Sequence, residues 1–529
     1  MALPQGAQTW AHSGGKFDFL WLLDHLAKRG GTMPPATCYV SGGSATSIKF
    51  DKGPHLRDSA RLLPMRLADT AKIAGEHRSK GDPGIPFEEF SRTMPAWQLA
   101  RIVEYMVGDV ELLRDVLLSL IEFATEHDIS LRGTVGGSGW ATASEWCGIE
   151  AASFPLSRVY EMARAGYKGG LCAVGRMEAD TVYRYDRKSA YPASLMLPVP
   201  TGPFRGMYGK DAGRMFEKGK PGIYHATVDV PDSLVPPLPI STRGRLIFPW
   251  GCVQGAWTHL EIQYALTKGA RIKSIDGGVV WAKESAVLSA YAGKCFELRD
   301  TLPEWNRKSL GTWLKFLANS LTGKLGQAPE TRVVAIGDHA HDFKYRAVGI
   351  SEHVWSTDVW RIPECGHVQM AATLTARARI ELCEQIDHAG QAWCYSDTDS
   401  CFSERPLTRG IGEALGDWAF EGEGHDWQCA APKVYTYNDP KKARDVVHAK
   451  GVNVTTKEQW ESYVSGEKIA AKGVDTLLVA AGRGNELFVK KTLARGLSEK
   501  SREGPWVGAR KRAGNLTLAP HVKDLVNLK

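Results

Sequence analysis

The stretch that decides the fold is Tyr395-Ser396-Asp397-Thr398-Asp399-Ser400, in which two aspartates follow an apolar run. The preceding residues 392–395 predict a strand that ends at a turn. A second strand-like run, 181–185, delivers Asp186 in the same way. A single aspartate at a strand end is ordinarily a turn former or a helix cap. Two of them, far apart in sequence, instead favour a shared site on neighbouring strands.

Asp186 and Asp399 are the residues that we expect to bind metal, with Asp397 in support. Mg²⁺ is held by one or two carboxylates together with substrate phosphates and water. Two such ions, about 3.5–4 Å apart, can activate a 3′-hydroxyl and stabilise a leaving pyrophosphate. The sequence therefore predicts phosphoryl transfer with two Mg²⁺ ions, for which Mn²⁺ can substitute.

The segment after Asp186, Arg187-Lys188-Ser189-Ala190-Tyr191-Pro192, predicts a tight turn. Successive backbone N–H groups in such a turn can bind a triphosphate. Tyr191, fixed before a proline, can lie under the sugar and exclude a 2′-hydroxyl. The alternative for Tyr191 is a core tyrosine at a turn.

A helix over 315–324 places Lys315, Asn319 and Gly323 on one face, at i, i+4 and i+8. A lysine there can meet phosphates as a point charge, and Gly323 leaves room for a base pair to approach the backbone. Arg299 and Lys308 add positive charge upstream. The alternative is a solvated basic helix face.

The length of 529 residues suggests about three or more domains, and no run approaches the roughly 18 apolar residues of a membrane span. The ten cysteines form no C-x-x-C pair, which indicates free thiols in a reducing cytosol. The net charge of +7 is concentrated at the end of the chain: residues 483–529 hold eleven Lys/Arg against four Asp/Glu. A basic segment of this kind suits a polyanion or a solvated helical face.

Periodicity predicts a helix over 97–123, a strand over 222–230, and helices over 284–323 interrupted near Pro303. Residues 328–362 alternate like a hairpin or small sheet, a helix follows over 368–386, and the chain ends in a basic helical tail.

These motifs resemble those of family B DNA polymerases. The turn at 186–192 resembles the first palm motif, D-x-x-S-L-Y-P, and 315–323 resembles the fingers motif, K-x-x-x-N-S-x-Y-G. Residues 395–400 fit the second palm motif, Y-x-D-T-D-S, and their order and spacing also fit. Tyr167-Lys168-Gly169-Gly170 resembles the Y-x-G-G/A motif, and Lys433-Val434-Tyr435 resembles K-x-Y.

The best match is the protein-primed branch of phages, adenoviruses and linear plasmids, because 200–280 and the residues before the 368–386 helix occupy the places of its two insertions. The resemblance implies that Asp186, Asp399 and the Arg187 carbonyl bind both metals, and that Tyr191 excludes ribonucleotides. The remaining implied residues contact the triphosphate and nascent base pair (Arg299, Lys308, Lys315, Asn319, Gly323) or the primer strand (Tyr167, Gly169, Gly170, Lys433, Tyr435).

The resemblance also implies partners and a compartment. The partners are template and primer DNA, deoxynucleoside triphosphates and a priming terminal protein. The polymerase itself is expected to be a monomer without membrane contact. Its compartment is the cytoplasm, which is that of the host if the source is viral.

The sequence departs from the family pattern in two main places. Thr322 stands where the fingers motif has tyrosine, which predicts looser nucleotide selection. Residues 12–18, with Asp18, resemble the second exonuclease motif, Lys72 lies in the segment that follows, and Tyr105 and Asp109 fit the third. The first motif, D-x-E, has no counterpart before Asp18. We therefore expect either a start further upstream or a protein without proofreading, in which Asp109 is a solvated helix position.

The predicted architecture is an α+β right hand with palm, fingers and thumb, behind an N-terminal ribonuclease-H-like exonuclease domain that lacks its first segment. The predicted ranges are 1–130 for the exonuclease-like domain, 131–200 and 366–465 for the palm, 201–283 and 327–365 for the insertions, 284–326 for the fingers and 466–529 for the basic thumb. The rivals are a non-catalytic DNA-binding remnant and a family B polymerase that does not use protein priming.

Overall fold

A computed structural model of the chain describes residues 6–16, 18–28, 35–41, 44–85, 94–154, 157–242, 245–337, 344, 346–348, 354–449, 454–467, 469–474, 490–495 and 510–512. Among these residues, no helix combines the length and the apolar character that a membrane crossing needs.

The central element is a seven-stranded antiparallel sheet, in the order β19-β18-β17-β6-β16-β15-β5. Its middle strand, β6, carries the first predicted aspartate and pairs with β17 on one side and β16 on the other. Both predicted strand ends are confirmed, since β6 and β15 each run to the aspartate or just past it. The strands are β5 (Cys172–Val174), β6 (Glu178–Arg187), β15 (Trp393–Asp397), β16 (Ser400–Ser403), β17 (Trp418–Ala431), β18 (Val434–Asp439) and β19 (Arg444–Ala449).

The helix predicted over 368–386 packs against this sheet and is almost wholly buried. Its sequence alternates small residues with longer ones, so that neighbouring elements approach it closely on several sides. The short helix that follows Asp186 packs against it. The helices around the sheet are α5 (Ser157–Arg164), α6 (Ala190–Leu195), α12 (Val368–Ala389) and α13 (Lys457–Ser465).

A helical bundle stands beside the sheet and confirms the prediction for 284–323, including the break at Pro303. Its long helix buries Trp313, Leu317 and Leu321 and leaves Lys315 exposed on another face. The glycines at the start of a further helix let it pack closely on this one, and Gly139 lies against the Leu317 carbonyl. The helices are α4 (Val135–Cys147), α9 (Ser289–Thr301), α10 (Glu304–Arg307) and α11 (Leu310–Leu325).

The region predicted as the first insertion forms its own sheet, in the order β22-β10-β8-β11-β7, with β9 paired to β10. A capping box, in which Thr258 and Glu261 bond reciprocally, begins the helix that follows β10. The elements are β7 (Val199–Tyr208), α7 (Gly209–Glu217), β8 (Gly222–Val230), β9 (Ile240–Thr242), β10 (Arg245–Thr258), α8 (His259–Thr267) and β11 (Arg271–Ser285). The strand predicted over 222–230 is therefore confirmed.

The N-terminal region forms a second seven-stranded sheet, in the order β1-β4-β3-β2-β12-β14-β13. Three of these strands come from 327–365, so the hairpin predicted there exists but extends the N-terminal sheet through the pairing of β12 with β2. The elements are β1 (Gln8–Ala11), α1 (Asp18–Lys28), β2 (Ala36–Ser41), β3 (Ser44–Phe50), β4 (His55–Asp58), α2 (Leu67–Thr70), α3 (Ala96–Glu126), β12 (Glu330–Ile336), β13 (Arg346–Ala347) and β14 (Val354–Trp360).

The described parts of the C-terminal region are strands. β20 (Ile469–Val474) pairs with β21 (Lys490–Arg495), and β22 (Arg510–Arg512) lies parallel to β10 of the first insertion. The prediction of a helical tail is wrong for β21 and β22, because strand pairing with β20 and β10 overrides the local helical pattern there. The rest of that tail lies outside the described residues.

Candidate active site

Strand register brings Asp186 and Asp399 together. Ser400 of β16 pairs with Asp186 of β6, and Asp399 is the residue just before Ser400. The backbone N–H of Arg187 donates to the Asp399 carbonyl at 2.7 Å. The turn between β15 and β16 is tight, with Thr398 at a φ of 61°, so the aspartate is presented at the tip of a hairpin. Two strands that are more than 200 residues apart in sequence thus build one acidic site.

The carboxylates of Asp186 and Asp399 form a site with uncompensated negative charge. Burial, then the charge of Asp399, then that of Glu421 raise the pKa of Asp186 to about 7, while Lys315 acts in the opposite direction. Burial and the neighbouring Asp397 raise the pKa of Asp399 as well. Crowded, half-buried carboxylates of this kind are stabilised by a cation.

Glu421 is a residue that the motifs did not single out. It lies on β17, two residues after Ala419, the register partner of Asp186, and its charge reaches Asp186. No sequence pattern marks Glu421, because it lies on a strand without a recognised motif. The structure therefore adds a carboxylate whose charge acts on Asp186.

Asp397 has a different environment from Asp399. Its carboxylate contacts the Lys433 ammonium and accepts a hydrogen bond from Thr398 Oγ1 at 3.1 Å. The Lys433 backbone N–H donates to Tyr395 Oη at 3.2 Å, which fixes the lysine at its positive φ of 64°. Lys433 is thus joined to the hairpin that carries Asp397 and Asp399.

Tyr435 lies on the palm sheet within an aromatic cluster. Its ring stands 5.2 Å from that of Tyr395 and stacks on His448 at 5.0 Å with an interplanar angle of 21°. The register of β18 and β19 places Tyr435 directly opposite His448. His448 was not recognised in the sequence, because it belongs to no quoted motif.

The turn after Asp186 is confirmed, with Ser189 at a φ of 49°. Two of its amides are already used within the protein: Arg187 N–H donates to Asp399 and Lys188 N–H donates to the Asp417 carbonyl. Fewer backbone N–H groups of this turn are therefore free to bind a triphosphate than the sequence predicted. Arg187 Nε also donates to the Gly416 carbonyl, so the side chain ties this turn to the loop before β17.

Tyr191 lies beside the site rather than in the core. Burial, followed by the charge of Asp399, raises the pKa of its phenol, and Arg379 acts against that shift. The tyrosine is the second residue of α6 and is only partly buried. Its place next to Asp399 fits contact with the sugar of an incoming nucleotide.

The helix α11 brings Lys315 to the aspartates, since its charge acts on both Asp186 and Asp399. Asn319 follows on the same face, and a Cβ built on Gly323 meets nothing within 4 Å, so this face opens to free space. Arg299 lies on α9, where its stem lies near Gly311, and Lys308 is exposed at the end of α10. Neither of these two has a described contact with the aspartates.

The Tyr167–Gly170 segment touches both halves of the site. Gly170 lies against the Thr398 side chain, Leu171 O accepts from Thr398 N–H at 2.6 Å, and the Tyr167 ring lies against Gly326 at the end of α11. Gly169 is exposed. The segment therefore packs between the β15–β16 hairpin, which carries Asp397 and Asp399, and the helical bundle.

The exonuclease-like residues fall into two groups. Tyr105 and Asp109 lie one turn apart on α3 and both contact Lys80, whose Nζ is 2.7 Å from Asp109 Oδ2. Lys80 thus contacts both residues of the third motif, whereas Lys72 contacts the Glu76 carbonyl. Burial raises the pKa of Asp18, and the nearest carboxylate acting on it is Asp58 rather than Asp109.

The comparisons with known proteins agree with this geometry. Residues 88–356 match the family described as DNA polymerase type B, organellar and viral. The chain is 25% identical to the DNA-directed DNA polymerase of Enterobacteria phage PRD1 over 442 residues, 80% of this chain and 72% of the relative. It is 22% identical to a probable DNA polymerase of Neurospora intermedia over 329 residues, 56% of this chain and 33% of that one.

Solved structures of the Phi29 DNA polymerase share the fold. The ternary complex of that enzyme with primer-template DNA and incoming nucleotide matches with a TM-score of 0.68 at 16% identity, over 92% of this chain and 91% of the other. Its binary complex with primer-template DNA matches with a TM-score of 0.70 at 15% identity and the same coverage.

Proposed function

The chain belongs to the type B DNA polymerases of organelles and viruses, and on that premise we propose that Asp186 and Asp399 hold the two divalent cations of its reaction. It is a DNA-directed DNA polymerase of the viral type, as the motifs predicted, and the predicted α+β polymerase fold and the resemblance to the protein-primed branch are confirmed. Polymerases of this family depend on divalent metals. The domain boundaries remain predictions.

The observation that carries the assignment is the strand register that places Asp399 beside Asp186, where burial and the charge of Asp399 raise the pKa of Asp186 to about 7. Within the described residues no group of three or more His, Cys, Asp or Glu forms a metal cage. Mg²⁺ suits such a site, because it is bound by one or two carboxylates and takes its other ligands from water and substrate phosphates. Bound there, the cations would lower the pKa of a primer 3′-hydroxyl and stabilise charge on the departing pyrophosphate.

The surrounding residues position the reactants. Lys315 places a positive charge where the triphosphate of a deoxynucleotide would lie, with Arg299 and Lys308 as further cations on the approach and Asn319 and Gly323 on the same open face. Tyr191 would lie under the sugar, and the Arg187 carbonyl would assist at the metals. Lys433 and Tyr435 would hold the primer terminus. Catalysis here comes from positioning and from charge stabilisation.

Primer extension with Mg²⁺ tests the assignment. Asp186→Ala and Asp399→Ala should each lower the rate at least a thousandfold, which is about 4 kcal/mol of transition-state stabilisation. Glu423→Ala, an exposed carboxylate on the neighbouring β17, is the matched control and should extend normally. Equal rates in the aspartate variants and wild type would refute the metal assignment. A wild-type chain that binds DNA but never extends it would support the rival of a non-catalytic remnant.

We also propose a protein hydroxyl as the starting primer, because ordered structure fills both regions where protein-primed relatives carry insertions. The first region forms a sheet of its own, and the second adds three strands to the N-terminal sheet. Incubation with labelled dATP, Mg²⁺ and a candidate terminal protein should label a Ser, Thr or Tyr of that protein. Labelling of DNA primers only would favour the family B alternative without protein priming. Action as a monomer in the cytoplasm, that of the host if the source is viral, belongs to the same proposal.

A further inference from the structure

A fully buried ion pair links the first insertion to the palm. Arg379 Nη2 of α12 donates to Glu261 Oε1 of α8 at 2.7 Å, and the two side chains are 3% and 1% exposed. The other carboxylate oxygen accepts from Thr258 N–H and Thr258 Oγ1, each at 2.9 Å. Burying two charges costs several kcal/mol per ion unless geometry and extra hydrogen bonds offset it. Here each carboxylate oxygen has a partner.

Arg379 uses its other terminal nitrogen on the Tyr167–Gly170 segment. Nη1 donates to the carbonyl oxygens of Lys168 at 2.7 Å and Gly169 at 2.6 Å. The guanidinium thus stands between the insertion's carboxylate and two consecutive backbone carbonyls. Because a guanidinium is planar and rigid, the position of Glu261 fixes the position of these carbonyls.

Lys168 makes a second link between the same two elements. Its buried ammonium contacts the Ala256 carbonyl at the end of β10, three residues before α8 begins. Burial lowers the pKa of this lysine to about 8, and the charge of Glu261 opposes that shift. Glu261 therefore faces two buried cations, and their charges outweigh burial and hold the pKa of its carboxyl below the ordinary value.

The far side of the segment touches the β15–β16 hairpin. Leu171 O accepts from Thr398 N–H, Gly170 packs on the Thr398 side chain, and Cys172 is the strand partner of Asp397. A displacement of the segment would therefore move the turn that carries Asp399. Misplacement by about 1 Å can cost roughly 10²-fold in rate.

We propose that Glu261 is a positioning residue for nucleotide transfer: through Arg379 it holds the Tyr167–Gly170 segment, and with it the Thr398 turn, in the geometry that the catalytic aspartates need. The first insertion is thereby part of the catalytic framework. This inference rests on the proposed roles of Asp186 and Asp399.

The test compares two ion pairs between the same helices. Lys268 of the α8 C-cap and Asp387 of α12 form an ion pair at 2.7 Å that is about one-third exposed and has no described contact with the segment. Glu261→Gln should lower kcat for single-nucleotide addition to a DNA primer about tenfold to a hundredfold. Asp387→Asn should match wild type. Amide hydrogen exchange at residues 169–172 should accelerate in Glu261→Gln only.

A role in folding alone would have a different signature. If Glu261→Gln lowers the melting temperature but keeps wild-type kcat and amide exchange, the inference is overturned. If Glu261→Gln does not fold, Thr258→Val keeps the charge and removes one hydroxyl bond to it, and a several-fold loss of kcat with faster exchange at 169–172 is then expected. Wild-type kinetics in Thr258→Val would overturn the inference. Failure of the metal assignment is seen separately, as undiminished extension by Asp399→Ala.

Discussion

The Lys433 ammonium group contacts the Asp397 carboxylate, while Asp399, two residues further on, lies beside Asp186. Lys433 pairs directly with Asp397 and acts on Asp399 only through its charge. Asp397 is neutralised within the protein, whereas the pair Asp186 and Asp399 is left with excess negative charge. This difference supports the proposed roles of Asp399 at the metal ions and of Lys433 at the primer terminus.

Lys433→Ala should weaken binding of the primer terminus and slow extension from limiting primer. Asp397→Asn should also weaken primer binding and slow extension. The double variant should lose less binding free energy than the two single variants added together, because each single change leaves the other group unpaired. The measurement is the Kd for primer-template DNA and the extension rate. Lys442→Ala, at an exposed lysine paired with Asp439 at the far end of β18, is the control. Strict additivity would contradict the coupling.

Tyr191→Val should admit ribonucleotides. The ring next to Asp399 is the steric obstacle, so its removal should raise kcat/KM for a ribonucleoside triphosphate by about tenfold to a hundredfold, on the scale of roughly 1–3 kcal/mol for a contact in a pocket. Tyr191→Phe keeps the ring and should keep discrimination. Unchanged selectivity in Tyr191→Val would place the gate elsewhere.

The metal-free protein should show a pH dependence that originates at Asp186. Its pKa is about 7 in the folded chain against an ordinary value of 3.8, so the folded state binds the extra proton between these values. The resulting stability is present at low pH and is lost as the pH rises through about 7. With EDTA present, Asp186→Asn should melt above wild type at pH 8, and the difference should shrink as the pH falls toward about 4.

Added Mg²⁺ should reverse the order at pH 8, because only the wild type keeps both carboxylates for the cation. Thermal unfolding followed by circular dichroism provides the measurement. Identical melting of both proteins at pH 8 in EDTA would show that Asp186 is not strained by its neighbours.

Lys80→Ala should destabilise the N-terminal region by about 1 kcal/mol, since Asp109 then loses its ion pair in a partly buried position. Lys72→Ala should have no such effect. Any 3′-end degradation that the protein shows should fall in Lys80→Ala and persist in Lys72→Ala, measured on a single-stranded oligonucleotide. The reverse order would show that Lys72, and not Lys80, supports the degradation.

Thr322→Val should leave the protein equally stable or stabilise it by up to about 1 kcal/mol, because the Thr322 hydroxyl is buried without a hydrogen-bond partner among the described residues. Chemical denaturation measures this difference. The expectation that Thr322→Tyr lowers misincorporation stays a prediction. Unchanged error rates would contradict it.

The site was predictable where chemistry and local pattern coincide. Asp186 and Asp399 each end an apolar strand, and Lys315 lies on a periodic helix, so their residue types and spacing indicated both the elements and the reaction. Glu421 and His448 were missed because strand register, which is set by the whole sheet, brings them to the site. Lys80 was missed because a turn of the chain, rather than a sequence interval, puts it beside Asp109.

For the fold as well, elements with a local sequence pattern were predictable and long-range strand pairings were not. Helices over 289–325 and 368–389 were predictable from periodicity, and β8 from its apolar run. The merger of β12 with β2 was not, since pairing between such distant segments leaves no local trace. Nor was the strand β22, whose basic residues form a helical pattern when considered in isolation.

The pairing of β2 with β12 means that the N-terminal sheet cannot be completed until β12 has been synthesised. Thr37 and Cys38 leave the ribosome long before their partners Ala335 and Val334 exist. At about 5–20 residues per second, the interval is roughly 15–60 s. During that time the N-terminal sheet has an open edge, which is a risk for strand exchange with other nascent chains. Shielding of this edge during synthesis should therefore raise the yield of folded enzyme.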